Sequence, residues 1–366
     1  MSPSKPPVSQ PRPASQPAPA GPLFGDPAPS FSAPGVSNPR YVIDTAAGRY
    51  IVLIFIPAGP GIDEAVRRLE RRRAAFNDMH ASAFIVIVGA DAERETRQDA
   101  LPGLRFLFDA DGEIAALYNA AEKPRWFLID PAMHVMAAVD EDQADTLVDR
   151  LAQLPPPAHH GGFEGMAPVL VTPRIFEQGF CEELIALYRR TGGEPSGFMR
   201  EIDGVTTLMM NDQHKRRSDV IVEDAFLQRQ VMLRLHRRLV PQIQKAFNFK
   251  PTRIERYLVA RYDSETGGFF RPHRDNTTKG TAHRRFAVSI NLNTDYDGGD
   301  LRFPEFGDRT YRPPPGGACV FSCSVLHEAT PVTRGERFAF LPFLYDEAAA
   351  SIREANLKYL DPALIS

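Results

Sequence analysis

Three residues, His273, Asp275 and His327, are of the types and at the spacing that bind a metal ion. His273 and Asp275 lie two apart in Gly267-Gly268-Phe269-Phe270-Arg271-Pro272-His273-Arg274-Asp275-Asn276. In extended chain, side chains i and i+2 share a face, so both would project into one cavity. His327 closes the apolar run Cys319-Val320-Phe321-Ser322-Cys323-Ser324-Val325-Leu326, which reads as a second buried strand. Two neutral imidazoles and one carboxylate on one face leave coordination positions open, the arrangement non-haem Fe(II) uses with oxygen; zinc accepts the same donors. Arg337, ten residues beyond His327, would enter the same cavity from the next strand. A buried guanidinium there suits bidentate binding of a carboxylate.

Such a triad needs strands to position it. Between residues 253 and 345 short strand-like runs alternate with turns at 263–268, 277–281, 295–299, 306–309, 313–317 and 333–336. This spacing predicts a sandwich or jelly roll, with the His-x-Asp pair near one sheet edge and His327 returned across the mouth. Upstream, residues 167–171 read as a strand, 178–190 as an amphipathic helix with Cys181 as a small buried hydrophobe, and 224–247 as one long helix. The polar stretch 197–218 is expected as a loop, serving either as a lid over the site or as ordinary surface.

In order and spacing these residues closely resemble the 2-oxoglutarate and Fe(II)-dependent dioxygenases of the prolyl 4-hydroxylase-like branch, over roughly 166–346. The resemblance rests on Arg261-Tyr262, His273-Arg274-Asp275, Tyr296-Asp297-Gly298-Gly299-Asp300-Leu301-Arg302-Phe303, Gly316-Gly317-Ala318-Cys319-Val320-Phe321, and His327 with Arg337. It implies a double-stranded β-helix with flanking helices. His273, Asp275 and His327 would hold Fe(II), and Arg337 would grip the distal carboxylate of 2-oxoglutarate. Oxygen would be the oxidant, with ascorbate compatible as an auxiliary reductant. Tyr262 matches a tyrosine that faces the cosubstrate pocket, with Tyr257 as its competitor. Where some relatives place a carboxylate-binding tyrosine this chain has Asn291, a hydrogen-bond donor, with Ser289 as the alternative in another register.

The amino-terminal half follows a different pattern. Strands at 50–57, 83–89, 126–129 and 135–139 alternate with helices at 62–80, 113–119 and 142–154, which is the signature of an α/β domain. Gly25-Asp26-Pro27-Ala28-Pro29-Ser30-Phe31 and Arg125-Trp126-Phe127-Leu128-Ile129-Asp130 resemble the opening and the late strand of the peroxiredoxin branch of the thioredoxin fold. That family's chemistry needs a thiolate after the strand ending at Pro57. This chain has Ala58-Gly59-Pro60-Gly61-Ile62 there, and its first cysteine is Cys181. The half is therefore read as a scaffold for recruitment, dimerisation or packing, with Arg125 structural.

The expected division is a Pro/Ala/Ser-rich leader at 1–22, a thioredoxin-like domain at 23–154, a linker at 155–165 whose His159-His160 is exposed without an acidic partner, and the dioxygenase domain at 166–366. The formal charge of -3 on 366 residues gives no general attraction for nucleic acid or anionic membrane. No apolar run reaches membrane-spanning length, and three unevenly spaced cysteines make no disulfide framework, so the expectation is a cytoplasmic protein that can form a homodimer. Arg271 and Arg274 flank the motif, either to attract an acidic substrate or simply solvated. His283 is expected to be solvated, and His214, His236, His80 and His134 show no partner pattern. The leading function is hydroxylation of a protein or peptide residue. The alternatives are hydroxylation of a free amino acid or small metabolite, and a non-catalytic iron or oxygen sensor or scaffold.

Overall fold

Strands Tyr50–Pro57 and Ala81–Val88 are almost entirely buried apolar sequence, as central strands covered on both faces must be. They anchor a five-stranded sheet in the order Leu104–Asp109, Ala81–Val88, Tyr50–Pro57, Arg125–Ile129, Val135–Asp140. The computed structural model describes residues 21–89 and 96–364; the expected leader at 1–22 lies almost wholly outside them. The described residues divide into two compact units: one is built from residues within 21–42, 51–129 and 133–153, the other from 43–50, 130–132 and 154–364.

The first unit is thioredoxin-like, with a parallel pair and two antiparallel pairs in its sheet. Its core includes Tyr118, tilted against Phe55 and edge-on to Phe127, with ring centroids 4.8 and 5.1 Å away. Arg125 lies over the Phe127 ring at 5.6 Å and donates to the Asn119 carbonyl at 3.3 Å, contacts internal to the fold. The helix expected over 62–80 stops at Glu70. Asp78 then takes a left-handed φ of 63°. Its carboxylate accepts from Ser82 at 2.6 Å and from both terminal nitrogens of Arg105 at 2.7 Å, turning the chain into the next strand.

The second unit is a jelly roll. One antiparallel sheet runs Lys215–Arg216, Phe269–His273, His327–Ala329, Leu301–Arg302, Thr310–Tyr311; a larger one contains Leu258–Asp263, Phe286–Asn291, Ala318–Ser322 and Val332–Phe340. Alternation along the larger sheet sorts its side chains. Val259, Val288, Ile290, Val320, Phe338 and Phe340 pack with residues of helix Gln178–Thr191 and of the helical run 225–247. The intervening positions Leu258, Ala260 and Tyr262 join Phe270 and Ala329 of the smaller sheet in a cluster between the sheets. The period of two thus builds a helix-facing side and a cavity-facing side from one set of strands.

Three local expectations are corrected. The stretch 197–218 is no loop: Phe198–Ile202 and Val205–Met209 form an antiparallel hairpin. At its turn Asp203 and Gly204 have φ of 49° and 78°, the left-handed pair that such hairpins require. The long helix is interrupted by a π-turn at Leu235–Leu239, just before Pro241, whose ring cannot donate to the helical ladder. In the expected linker, Tyr50 donates to the Pro155 carbonyl at 3.1 Å, and His160 Nδ1 lies 3.6 Å from the Asp130 carboxylate. An acidic neighbour is therefore present.

Candidate metal centre

His273 and His327 are direct cross-strand partners in neighbouring antiparallel strands. Register alone therefore brings two imidazoles together, with ring centroids 4.3 Å apart. Asp275 follows just past the strand end and completes the set: Oδ1 is 3.6 Å from His273 Nε2, and Oδ2 is 3.3 Å from His327 Nε2. One donor atom from each residue lies within 4.8 Å of the others.

The hydrogen bonds fix which nitrogens face inward. His273 Nδ1 is 2.7 Å from the Arg271 carbonyl and His327 Nδ1 3.0 Å from the Val325 carbonyl. A carbonyl only accepts, so each Nδ1 carries the proton and each Nε2 presents a lone pair. Burial, followed by repulsion from His327, pushes the His273 pKa down to about 4, leaving the ring in its neutral, ligating form at neutral pH. For Asp275, burial alone would raise the pKa, but His327 and His273 together hold it well below the usual carboxylate range. The donor set fits a divalent ion with open positions. Phe270 stacks on the His273 ring at 3.5 Å and Phe321 lies 4.5 Å from His327, giving the ligands apolar walls.

On the larger sheet, Tyr262 and Arg337 are cross-strand partners. Arg337 is 2% exposed. Its Nη2 donates to Ser289 Oγ at 2.8 Å and its Nε to Asn291 Oδ1 at 3.2 Å, and its guanidinium carbon is 5.3 Å from the Tyr262 ring centre. It has no ion pair with a carboxylate among the described residues, and a buried cation without a counter-charge is costly. This is what a site for an anionic ligand requires. Asn291 spends both amide hydrogens inside the protein, on Tyr296 Oη at 2.7 Å and the Pro313 carbonyl at 2.9 Å. Its remaining contact is to Arg337. Tyr257 lies on the opposite side of the larger sheet, packed against the helix-facing core.

Sequence reasoning passed over Tyr296 as an individual residue. It is 1% exposed, and because its oxygen accepts from Asn291, its own O–H is available to donate. A Cβ at the nearby Gly299 would sit 2.7 Å from Val332 Cγ2 and 3.1 Å from Arg337 Cδ; glycine here leaves room for the Arg337 side chain. Arg217 is the other omission. Ion-paired to Asp219 at 2.6 Å, it donates to Tyr262 Oη at 3.4 Å.

Several polar residues near the motif have different surroundings from those expected. His283 is 2% exposed rather than solvated: its Nε2 meets Glu255 at 2.8 Å, and its ring packs edge-on against Tyr345 at 5.1 Å. Arg274 pairs with Glu305 at 2.8 Å and Asp44 at 3.4 Å, so its charge is spent internally. Arg271 is exposed and donates to the Gln213 carbonyl at 2.7 Å. Cys181, Cys319 and Cys323 are buried free thiols; burial raises the first to about 11 and the second to about 12.

His214 packs between Phe198 and Phe270, with ring centroids 4.4 and 5.5 Å away. Burial, then the positive charges of Arg271, Lys215 and Arg200, depress its pKa to about 4. Between that value and the ordinary ~6.5 the unfolded chain takes up a proton that the folded chain refuses, so stability is retained above pH ~6.5 and declines below it. Allowing for partial exposure, going from pH ~7 to ~5 should cost about 1–2 kcal/mol and lower the thermal midpoint by a few degrees. His214→Gln should flatten that part of the Tm-against-pH curve; an unchanged slope would assign it elsewhere.

Comparison with known proteins places these features. Residues 257–345 match the 2OG-Fe(II) oxygenase superfamily. This segment is of the 2OG-Fe(II) oxygenase type. It contains His273, Asp275, His327 and Arg337, and the cofactor set of that family is Fe(II), 2-oxoglutarate and O2. Residues 24–138 match the AhpC/TSA family, so the oxygenase segment follows a peroxiredoxin-like one. A PKHD-type hydroxylase of Synechococcus sp. (strain JA-3-3Ab) is 27% identical over 149 residues, 38% of this chain and 64% of that protein. One from Maricaulis maris is 35% identical over 94 residues, 25% of this chain and 42% of that protein. The chain thus spans less than two thirds of these relatives. Among solved structures, a Pseudomonas putida prolyl-4-hydroxylase gives a TM-score of 0.37 at 18% identity, covering 55% of this chain and 98% of that one. Among the described residues no helix is long and apolar enough to cross a membrane.

Proposed function

We propose that the protein is a 2-oxoglutarate- and Fe(II)-dependent hydroxylase acting on a C–H bond of a protein or peptide residue, with the peroxiredoxin-like unit recruiting substrate or supporting assembly. The observation that carries this reading is the convergence of His273, Asp275 and His327 as a buried triad with both Nε2 atoms inward, in the same unit as the carboxylate-free guanidinium of Arg337. Fe(II) would be held by those three side chains. Arg337, oriented by Ser289 and Asn291, would bind the far carboxylate of 2-oxoglutarate, and Tyr262 would line the same pocket.

Bound there, Fe(II) and the keto acid would supply the oxidising chemistry: 2-oxoglutarate would be decarboxylated to succinate and carbon dioxide, with one oxygen atom of O2 ending in succinate and the other in the hydroxylated substrate. The chain's own residues supply the rest. The two carbonyl-anchored imidazoles remain neutral donors, Asp275 supplies the negative charge, and Phe270 and Phe321 limit water at the ligands. The peptide preference draws on the family resemblance.

The test is anaerobic binding of Fe(II) and 2-oxoglutarate to the full chain, then admission of oxygen with peptide libraries. Succinate should form together with a peptide that gains one oxygen atom. Binding of both without succinate, across peptides and free amino acids alike, would favour a sensor. Oxidation of a free amino acid alone would move the substrate to small metabolites. Simple deletion of residues 1–160 is not a clean test of the amino-terminal unit, because segments 43–50 and 130–132 belong to the second unit and Asp44 pairs with Arg274.

A further inference from the structure

Asp275 sits two residues beyond the end of strand Phe269–His273, where no sheet ladder fixes its backbone. The Asp275 amide donates to the Cys323 carbonyl at 2.9 Å, and its carbonyl accepts from Arg284 Nη1 at 3.3 Å. Arg284 is only 7% exposed and is itself clamped. Its Nε and Nη2 reach the two oxygens of Glu255 at 2.8 and 2.5 Å. Glu255 also takes His283 Nε2 at 2.8 Å, and the Arg284 guanidinium lies 4.1 Å from the centre of the Phe343 ring. The clamp reaches from a strand of the larger sheet, Arg253–Glu255, to the triad's single carboxylate.

We infer that Arg284, locked by Glu255, is a positioning residue that holds the Asp275 backbone where its carboxylate can complete the metal site. The inference rests on the proposed metal role of the triad and adds to it a cause for the placement of Asp275. A planar guanidinium engaged bidentately on one side has a fixed direction for its remaining N–H, whereas a lysine ammonium cannot grip Glu255 and reach the Asp275 carbonyl in the same way. Releasing it should loosen the carboxylate without removing a ligand. Partners behind metal ligands typically change metal affinity by about 10–100-fold.

The experiment uses Co(II) as probe on the full chain, following its visible absorption during titration. Arg284→Lys should bind Co(II) about 10–100-fold more weakly than the native chain and with an altered spectrum. Arg105→Lys serves as a control, because it breaks another bidentate arginine–aspartate pair, with Asp78, in the other unit. It should lower the thermal midpoint while leaving Co(II) affinity unchanged. Glu255→Gln keeps the side-chain size and one acceptor oxygen, and its titration decides the matter if Arg284→Lys does not fold. Native affinity and spectrum in a folded Arg284 or Glu255 variant would overturn the inference while leaving the triad standing. Absence of Co(II) binding by the native chain would overturn the triad and this inference with it.

Discussion

Asp275→Ala is expected to reduce 2-oxoglutarate-dependent succinate formation by at least about 100-fold, with the fold intact. The carboxylate is the only negative charge in the triad, and its two oxygens face the two histidines at 3.6 and 3.3 Å. Alanine leaves two neutral donors, which lowers metal affinity and removes the anion that balances a divalent charge. Because the three ligands act as a unit, His273→Ala and His327→Ala should fall to a similar floor rather than show graded effects. Succinate release measures the loss, and far-ultraviolet circular dichroism shows whether the chain remains folded. If Asp275→Ala stays folded and keeps turning over 2-oxoglutarate, the catalytic reading fails. Asp275→Glu is the informative companion, since it retains charge but lengthens the reach from a backbone gripped at both ends.

Arg337→Met should raise the KM for 2-oxoglutarate about 100-fold, because truncating one partner of a buried, hydrogen-bonded charge pair costs about 2–5 kcal/mol. Methionine fills a comparable volume and leaves Ser289 Oγ and Asn291 Oδ1 facing an apolar group in place of their donor. Much of the effect should therefore appear as weaker cosubstrate binding, with Fe(II) affinity nearly unchanged. Ser289→Ala removes one hydrogen bond from the charged guanidinium and should cost about 1.5 kcal/mol, or roughly ten-fold in KM. Varying 2-oxoglutarate at saturating iron separates the two parameters. A large fall in kcat at unchanged KM would place Arg337 elsewhere in the reaction. Arg337→Lys should lie between, since the charge remains but the two-pronged geometry does not.

The site was far more legible in the sequence than the wall around it. His273 and Asp275 could be paired as i and i+2 of extended chain, although only His273 lies on the strand and Asp275 is held beyond its end by Cys323 and Arg284; the distant His327 could be added because its apolar run reads as a buried strand. Register then made it the cross-strand partner of His273. The same period explains why Tyr262 and Tyr257, both close to one strand, end on different faces of the larger sheet. His283 reads as solvated because its neighbours are basic, yet it is buried. Its partner, Glu255, is remote in sequence and arrives only when strands Arg253–Glu255 and Phe343–Tyr345 pair. The amide of Asn291 is consumed by Tyr296 and Pro313, contacts that no local pattern encodes. The hairpin at 198–209 was different: Asp203-Gly204 is a turn signal, obscured by the polar residues around it.

The facing register of His273 and His327 also bears on how the protein would live with changing iron supply. In small zinc domains the metal gathers ligands that are otherwise scattered, so losing the ion means losing the fold. Here two ligands far apart in sequence are already side by side through ladder hydrogen bonds and a shared apolar core. The ion would enter a prepared seat. Chelator-treated protein should accordingly keep its circular dichroism spectrum and melt cooperatively, gaining only the mass-action increment on reloading, about 2.7 kcal/mol at a free metal concentration about 100 times Kd. Activity could then be emptied and refilled repeatedly on the same folded molecule, letting metal availability act as a throttle on turnover rather than a sentence on the protein.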